Sequence, residues 1–216
     1  MKRVYILCEG QTEEKFVNSV LAPYFTPQDI YVIPVILATK RIASGGKHRG
    51  GVSSYEKISK ELKLLCHDSS AYVTSLLDFF ALPEDTPGFS ATAPSLYDHI
   101  EKIEQAINQD IGKPNCHANL LVHEFEGLLF SAPEEFALIA DQDAVDTLCA
   151  VREEYPNPEE INSSFDTAPS KRILAVIPDY KKVADGSDLS QVIGIDRMMA
   201  SCPHFAAWIQ NIKSRI

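Results

Sequence analysis

The chain has 216 residues, 45% of them apolar and 23% charged, and its formal net charge is −10 at pH 7. This composition supports a hydrophobic core and excludes a disordered polypeptide. The acidic balance weighs against nucleic acid as a partner. However, residues 134–160 contain nine acids and one base, so the rest of the chain is close to neutral and can carry a local basic face.

Cysteine usage and hydropathy indicate the compartment. The five cysteines are odd in number and never occur as Cys-x-x-Cys, a pattern typical of reduced thiols rather than a disulfide framework or a zinc site. The apolar run near the N-terminus is too short for a signal peptide, and no run approaches the roughly 20 apolar residues of a membrane span. We therefore expect a soluble, cytoplasmic protein without a membrane segment.

The first strand and helix are predicted from the N-terminal residues. The apolar run 4–8 is typical of a buried strand in a parallel sheet, and it leads directly into Glu9. We expect Gly10 to permit a sharp turn and Thr12 to cap a helix over about 13–21. Glu9 would then lie at the carboxyl end of a strand, where open α/β sheets form their binding sites.

A second buried strand is predicted over residues 30–37, where Pro34 removes one backbone donor and favours an edge position or a bulge. The following residues, 39–51, contain two glycine pairs and no acid. Glycines let backbone N–H groups approach a phosphate, and basic side chains neutralise it. The segment also fits a solvated loop; its candidate phosphate ligands are Lys40, Arg41, Lys47 and Arg49.

Two further strands bring acids to the same edge of the predicted sheet. A third strand, over 71–77, ends in Asp78, and a short fourth strand, over 117–122, leads into Glu124 and Glu126. In helical geometry these two glutamates point in different directions, so we expect different roles for them. Helices are predicted between the strands, and this alternation predicts an α/β fold with a mainly parallel four-stranded sheet flanked by helices.

The chain is predicted to be helical from residue 132 onward. We expect residues 1–131 to form the α/β core and residues 132–216 to form a helical C-terminal region packed on it within one domain. Lys171 and Arg172 lie near the start of a predicted helix, where the helix dipole disfavours cations. The two residues would bind an external anion, pair with a carboxylate from another part of the fold, or be an ordinary exposed pair.

The acids at the strand ends predict a metal site. Clustered carboxylates repel one another unless a cation neutralises them. Oxygen ligands without cysteine or histidine spacing favour Mg²⁺ or Mn²⁺ over zinc. Such an ion polarises a phosphate or activates a bound water, so phosphoryl chemistry is the leading hypothesis.

Four motifs carry a resemblance: EGQTEEKF at 9–16, LDFFALP at 77–83, HEFEGLLF at 123–130 and APSKR at 168–172. They resemble a bacterial family of unknown function with a TOPRIM-like fold, similar to the TOPRIM parts of OLD-type nucleases and of ATPase-linked phage-defence proteins. In TOPRIM proteins an acid after the first strand and an Asp-x-Asp after the third hold magnesium. The resemblance implies these roles for Glu9 and Asp78. Phe80 replaces the second aspartate, and Glu126, or secondarily Glu124, is the candidate for the missing ligand.

Two main functions follow. In the first, a magnesium-dependent nuclease of phage defence or DNA repair binds metal through Glu9, Asp78 and Glu126 and clamps phosphate through Lys47 and Arg49, with assistance from Lys171 and Arg172. In the second, a non-catalytic TOPRIM-like subunit binds an ATPase or nucleic acid. A third hypothesis is hydrolysis of a small phosphorylated metabolite.

Overall fold

The computed structural model describes residues 2–37, 54–162 and 165–216. Within them, the fold is α/β, with a parallel five-stranded sheet flanked by helices and followed by a helical C-terminal region. The strands are β1 (Lys2–Cys8), β2 (Ile30–Ile36), β3 (Tyr72–Asp78), β4 (Cys116–His117) and β5 (Leu120–Leu121). The α-helices described are α1 (Gln11–Phe16), α2 (Ala22–Phe25), α3 (Tyr55–Leu65), α4 (Leu96–Ile111), α5 (Glu126–Leu129), α6 (Gln142–Glu153), α7 (Pro169–Val176), α8 (Asp185–Ser201) and α9 (Pro203–Ser214).

The sheet order is β2-β1-β3-β4, and β5 also pairs with β3. β2 is the first strand in this order, so the edge position, one of the two alternatives that Pro34 favoured, is confirmed. A proline is tolerated in an edge strand because its missing N–H need not interrupt pairing with a second neighbour. The predicted fourth strand is divided into β4 and β5. Asn119 lies between them, and its N–H and C=O bond the Ser75 hydroxyl instead of continuing the backbone ladder.

Both faces of the sheet are covered, because alternate side chains of each strand enter different cores. In β1, Ile6 and Cys8 pack with helices α8 and α9, while Leu7 packs with α3 and α4 on the other face. From the C-terminal region, the buried Trp208 donates a hydrogen bond from its indole N–H to the Thr74 hydroxyl at 2.9 Å. The helical region therefore shares a core with the sheet.

The first helical stretch departs from the prediction that it stops near Pro23. A wider π-helical turn, Val17–Leu21, connects α1 directly to α2, so the helical stretch continues to Phe25. In that turn the Ala22 N–H bonds the Val17 carbonyl, five residues back. Pro23 then falls in the first turn of α2, where its missing N–H costs little.

One acid of the acidic segment 134–160 is buried. Glu159 is 3% exposed and accepts hydrogen bonds from the backbone N–H groups of His204 and Phe205, at 2.9 and 2.8 Å. Its carboxylate therefore caps the first turn of α9, where the helix dipole favours negative charge. None of the helices in the described ranges combines the length and apolar character that a bilayer crossing requires.

Candidate functional site

Glu9 and Asp78 lie side by side at the carboxyl edge of the sheet. Glu9 directly follows β1, Asp78 is the last residue of β3, and the two strands are parallel neighbours with Cys8 opposite Leu76. The Asp78 backbone N–H lies 3.4 Å from the Glu9 carboxylate, and the Asp78 side chain accepts a hydrogen bond from the Phe125 N–H at 3.0 Å. The sheet register thus brings together two acids that are 69 residues apart in the sequence.

Glu13 is a third acid of the site, which sequence reasoning placed only in the first turn of a helix. The N-cap of α1 is Gly10 rather than Thr12, and the Glu13 carboxylate accepts the Gly10 N–H at 2.8 Å. Gly10 has an extended backbone, with φ −156°, a conformation that does not require glycine. Capping by Glu13 instead holds this carboxylate, which is only 6% exposed, beside Glu9.

Glu124 and Glu126 enter the site from the segment after β5. Glu124 lies just before α5, and its carboxylate accepts hydrogen bonds from the N–H and hydroxyl of Ser170, at 2.5 and 3.0 Å. Glu126 lies in the first turn of α5 and is 1% exposed. Its Oε1 has no hydrogen-bond partner in the described part of the chain.

Lys182 contacts both glutamates, although we expected them to point in different directions. Its ammonium lies 3.0 Å from Glu126 Oε2 and 3.6 Å from Glu124 Oε2. Helical geometry does not apply to this pair because Glu124 precedes α5, so both carboxylates reach the same ammonium. Although burial lowers the pKa of Lys182, the carboxylates of Glu126 and Glu124 outweigh this effect and raise it, so the ammonium stays protonated.

Sequence reasoning missed both Lys182 and the neighbouring Tyr180. The two residues lie in the loop before α8, which packs against α1 and α5. A side chain at Gly186 would place its Cβ 2.9 Å from the Tyr180 hydroxyl, so glycine permits this close packing. The sequence gives no local signal for the lysine, since Lys181-Lys182 reads as an ordinary exposed pair.

Electrostatics at the site are dominated by buried, mutually repelling acids. Burial raises the pKa of Asp78 well above its usual range, and repulsion from Glu9, Glu13, Glu126 and Glu124 adds to the shift. Burial and repulsion from Glu13 raise the pKa of Glu9 to about 7. Burial raises the pKa of Glu126 to about 7 although Lys182 opposes the shift. Lys182 carries a single positive charge, so by itself it can balance only one of the five acids.

The donor chemistry of this cluster fits a hard divalent cation, because every ligand atom offered is a carboxylate oxygen. The unsatisfied Glu126 Oε1 is buried beside these acids. In residues 2–37, 54–162 and 165–216, however, no three His, Cys, Asp or Glu side chains stand in a geometry that could hold a metal ion. Asp78 and Glu124 each accept backbone hydrogen bonds instead.

The predicted phosphate ligands are distributed differently. Lys40, Arg41, Lys47 and Arg49 lie outside the described residues. Arg172 bonds the Tyr155 hydroxyl at 2.6 Å and the Thr167 carbonyl at 2.9 Å, and its guanidinium lies over the Tyr155 ring. Lys171 is exposed. The acid at this helix N-terminus is Glu124, which accepts hydrogen bonds from the N–H and the hydroxyl of Ser170.

The raised pKa of Glu9 predicts a pH-dependent stability. Because the folded-state pKa of about 7 exceeds the usual 4.5, the native state binds a proton more strongly, so stability falls as pH rises between these values. We expect Glu9→Gln to remove this loss and to exceed the wild type in free energy of unfolding by about 1–3 kcal/mol above pH 7. Urea unfolding with a chelator from pH 4.5 to 8 measures the effect; parallel curves for the two proteins would contradict it.

Comparison with known proteins gives a family but no described activity. No curated protein and no solved structure matches the chain. A family model described as a domain of unknown function, DUF4276, matches residues 8–213. This match spans every carboxylate of the site and Lys182. The chain therefore belongs to the DUF4276 family.

Proposed function

We propose that this protein is a Mg²⁺- or Mn²⁺-dependent phosphoryl-transfer enzyme, and specifically a nuclease. The observation that carries the proposal is the convergence of Glu9, Asp78 and Glu126 at one sheet edge, with a buried oxygen of Glu126 that has no hydrogen-bond partner among the described residues. Buried acids that repel one another reduce stability, and proteins retain such an arrangement where it binds a cation or performs chemistry.

The residues take distinct roles in this proposal. Glu9, Asp78 and Glu126 would hold the cation, while Glu124 is largely engaged by Ser170 at the start of α7. A divalent ion bound there supplies positive charge to a phosphate and lowers the pKa of a bound water. Lys182, whose side chain is 46% exposed, is a protonated donor that can reach a phosphate oxygen. Its raised pKa excludes a role as general base at neutral pH.

Support for a nucleic acid substrate comes from the sequence. The four motifs resemble TOPRIM-like nucleases, and the acid-free segment 39–51 offers four basic side chains for a phosphate backbone. Phe80 replaces the second aspartate of Asp-x-Asp, so Glu126 is proposed to complete the ligand set. The nuclease and a non-catalytic partner of an ATPase differ in one measurable property, which is cleavage by the purified chain.

Cleavage of a labelled oligonucleotide by the purified protein, with Mg²⁺ or Mn²⁺ and with a chelator, tests the proposal. We expect metal-dependent cleavage that Glu9→Gln reduces at least about 100-fold, because even outer-shell partners of metal sites contribute 10- to 100-fold. Glu134→Gln is the matched control: it is the same substitution at a side chain that is 61% exposed and paired with Arg197. Full activity of Glu9→Gln, or no cleavage by the wild type, refutes the nuclease. Hydrolysis of a small phosphate ester alone identifies a metabolite phosphatase.

A further inference from the structure

Phe80 exposes an aromatic ring on the segment that directly follows Asp78. Its side chain is 36% exposed, which distinguishes it from the fully buried phenylalanines of the cores. It lies two residues after Asp78 in a short 3₁₀ turn, Phe79–Ala81. The Phe80 backbone N–H donates a hydrogen bond to the His123 carbonyl at 3.0 Å. Phe80 is therefore anchored between the segments that supply Asp78 and Glu124.

The ring of Phe80 is part of a group of neighbouring aromatic rings. Its centroid lies 4.8 Å from the His123 ring and 6.0 Å from the Phe79 ring, which in turn lies 6.4 Å from Phe89. His123 has a left-handed backbone, with φ 65°. A non-glycine residue in this conformation costs free energy, which the surrounding structure must offset.

An exposed aromatic ring beside a phosphate-binding site suits one class of ligand. A nucleotide combines a phosphate with a flat aromatic base, and every base can stack on a phenylalanine ring regardless of its identity. The bases of a duplex are already stacked and paired, so a protruding side chain reaches them only at an energetic cost. The combination thus favours unpaired bases.

We propose that Phe80 stacks on an unpaired base of single-stranded nucleic acid whose backbone phosphate faces Lys182 and the carboxylates. The inference rests on the proposed function, since it takes the carboxylate cluster as the phosphate site. It assigns Phe80 a role in binding and in strand preference rather than in chemistry.

Binding titrations test the inference. We would measure fluorescence anisotropy of a 12-nucleotide single strand with cleavage-resistant phosphorothioate linkages, in Mg²⁺, against the same sequence as a duplex. Stacking contributes about 1–3 kcal/mol per base, or about 5- to 150-fold in affinity, so we expect Phe80→Ala to weaken single-strand binding about 10-fold. Phe80→Trp should retain or increase the affinity, and duplex binding should be weaker and insensitive to both changes.

Tyr31→Ala is the matched control. Tyr31 is another exposed aromatic residue, at 47%, but it lies opposite Arg3 near the amino ends of the strands, away from the carboxylates. We expect this variant to bind like the wild type. A thermal unfolding midpoint for each variant verifies that the proteins are folded, and recovery of affinity in Phe80→Trp excludes a general loss of structure in Phe80→Ala.

The outcomes separate this inference from the proposed function. Unchanged single-strand affinity in Phe80→Ala, an equal loss for duplex, or no single-strand binding by the wild type overturns stacking. A thymidine monophosphate that competes as effectively as the oligonucleotide also overturns it, in favour of a free nucleotide. If Phe80→Ala weakens single-strand binding but no protein cleaves, stacking stands and the nuclease fails. If Glu9→Gln abolishes cleavage while Phe80→Ala binds normally, only stacking fails.

Discussion

Replacing Asp78 with asparagine is expected to abolish metal-dependent cleavage and, without divalent cations, to make the protein more stable. Asp78 experiences repulsion from the four neighbouring glutamates of the site, so its negative charge destabilises the folded state. Asparagine removes the charge but keeps an oxygen that accepts the Phe125 N–H. We expect cleavage to fall at least about 100-fold and the free energy of unfolding to rise by about 1–3 kcal/mol in a chelator.

The divalent cation should reverse the order of the two proteins. A ligand that binds only the native state stabilises it in proportion to its affinity, so Mg²⁺ should raise the unfolding midpoint of the wild type and leave that of Asp78→Asn nearly unchanged. Differential scanning fluorimetry across a Mg²⁺ series, with a chelator as reference, measures both effects. An Asp78→Asn protein that is less stable than the wild type in the chelator would show that the charge is already compensated.

Asp110→Asn is a control with the opposite expected sign. Asp110 accepts hydrogen bonds from Tyr55, Ser59 and Lys63 on α3. Although slight burial raises its pKa, these partners lower it overall, so its negative charge stabilises the fold. The same substitution there should reduce stability by less than about 1 kcal/mol, since the side chain is 41% exposed. Cleavage should be unaffected.

Replacing Lys182 with methionine is expected to destabilise the protein in a metal- and pH-dependent manner. The substitution removes the ammonium that faces Glu126 and Glu124, and Glu126 is then buried without a cation. Breaking a fully buried ion pair costs about 3–5 kcal/mol. Because Lys182 itself is 46% exposed, we expect a loss of about 1–3 kcal/mol at pH 8.

The pH dependence follows from the glutamates. The pKa of Glu126 is raised to about 7 with Lys182 present, and removing the ammonium raises it further. Protonation below this value neutralises the buried charge, so the destabilisation should be largest above pH 7 and should shrink towards pH 5. Mg²⁺ should restore more stability to the variant than to the wild type. Cleavage should fall because a donor to the phosphate is lost.

Lys63→Met is the control for Lys182→Met, because it also removes a lysine from an ion pair, but its acidic partner is exposed rather than buried. Lys63 is 44% exposed, nearly the same as Lys182, but its partner Asp110 is 41% exposed whereas Glu126 is 1% exposed. We expect Lys63→Met to cost less than about 1 kcal/mol at every pH. Urea unfolding gives the free energy of unfolding of both variants. The same measurement in a Glu126→Gln background completes a double-mutant cycle. Equal losses for the two lysines, or a Lys182 loss that persists with Glu126→Gln, would argue against the proposed contact.

Local sequence patterns determined the parts of the fold that depend on short-range chemistry. Runs of buried apolar residues defined β1 and β3. Pro34 correctly indicated the edge strand. The positions of Glu9 and Asp78 were predictable because the carboxyl ends of parallel strands meet at one edge of a sheet.

Contacts distant in sequence were decided only by the tertiary structure. Lys182 meets Glu126 across 56 residues, and Glu124 meets Ser170 across 46, because helices from the C-terminal region pack against the carboxyl edge of the sheet. No local pattern encodes which cation will face which acid, since that depends on how the helices dock. The sequence by itself thus determined where Glu9 and Asp78 lie, whereas packing determined how the acids are buried and which partners they have.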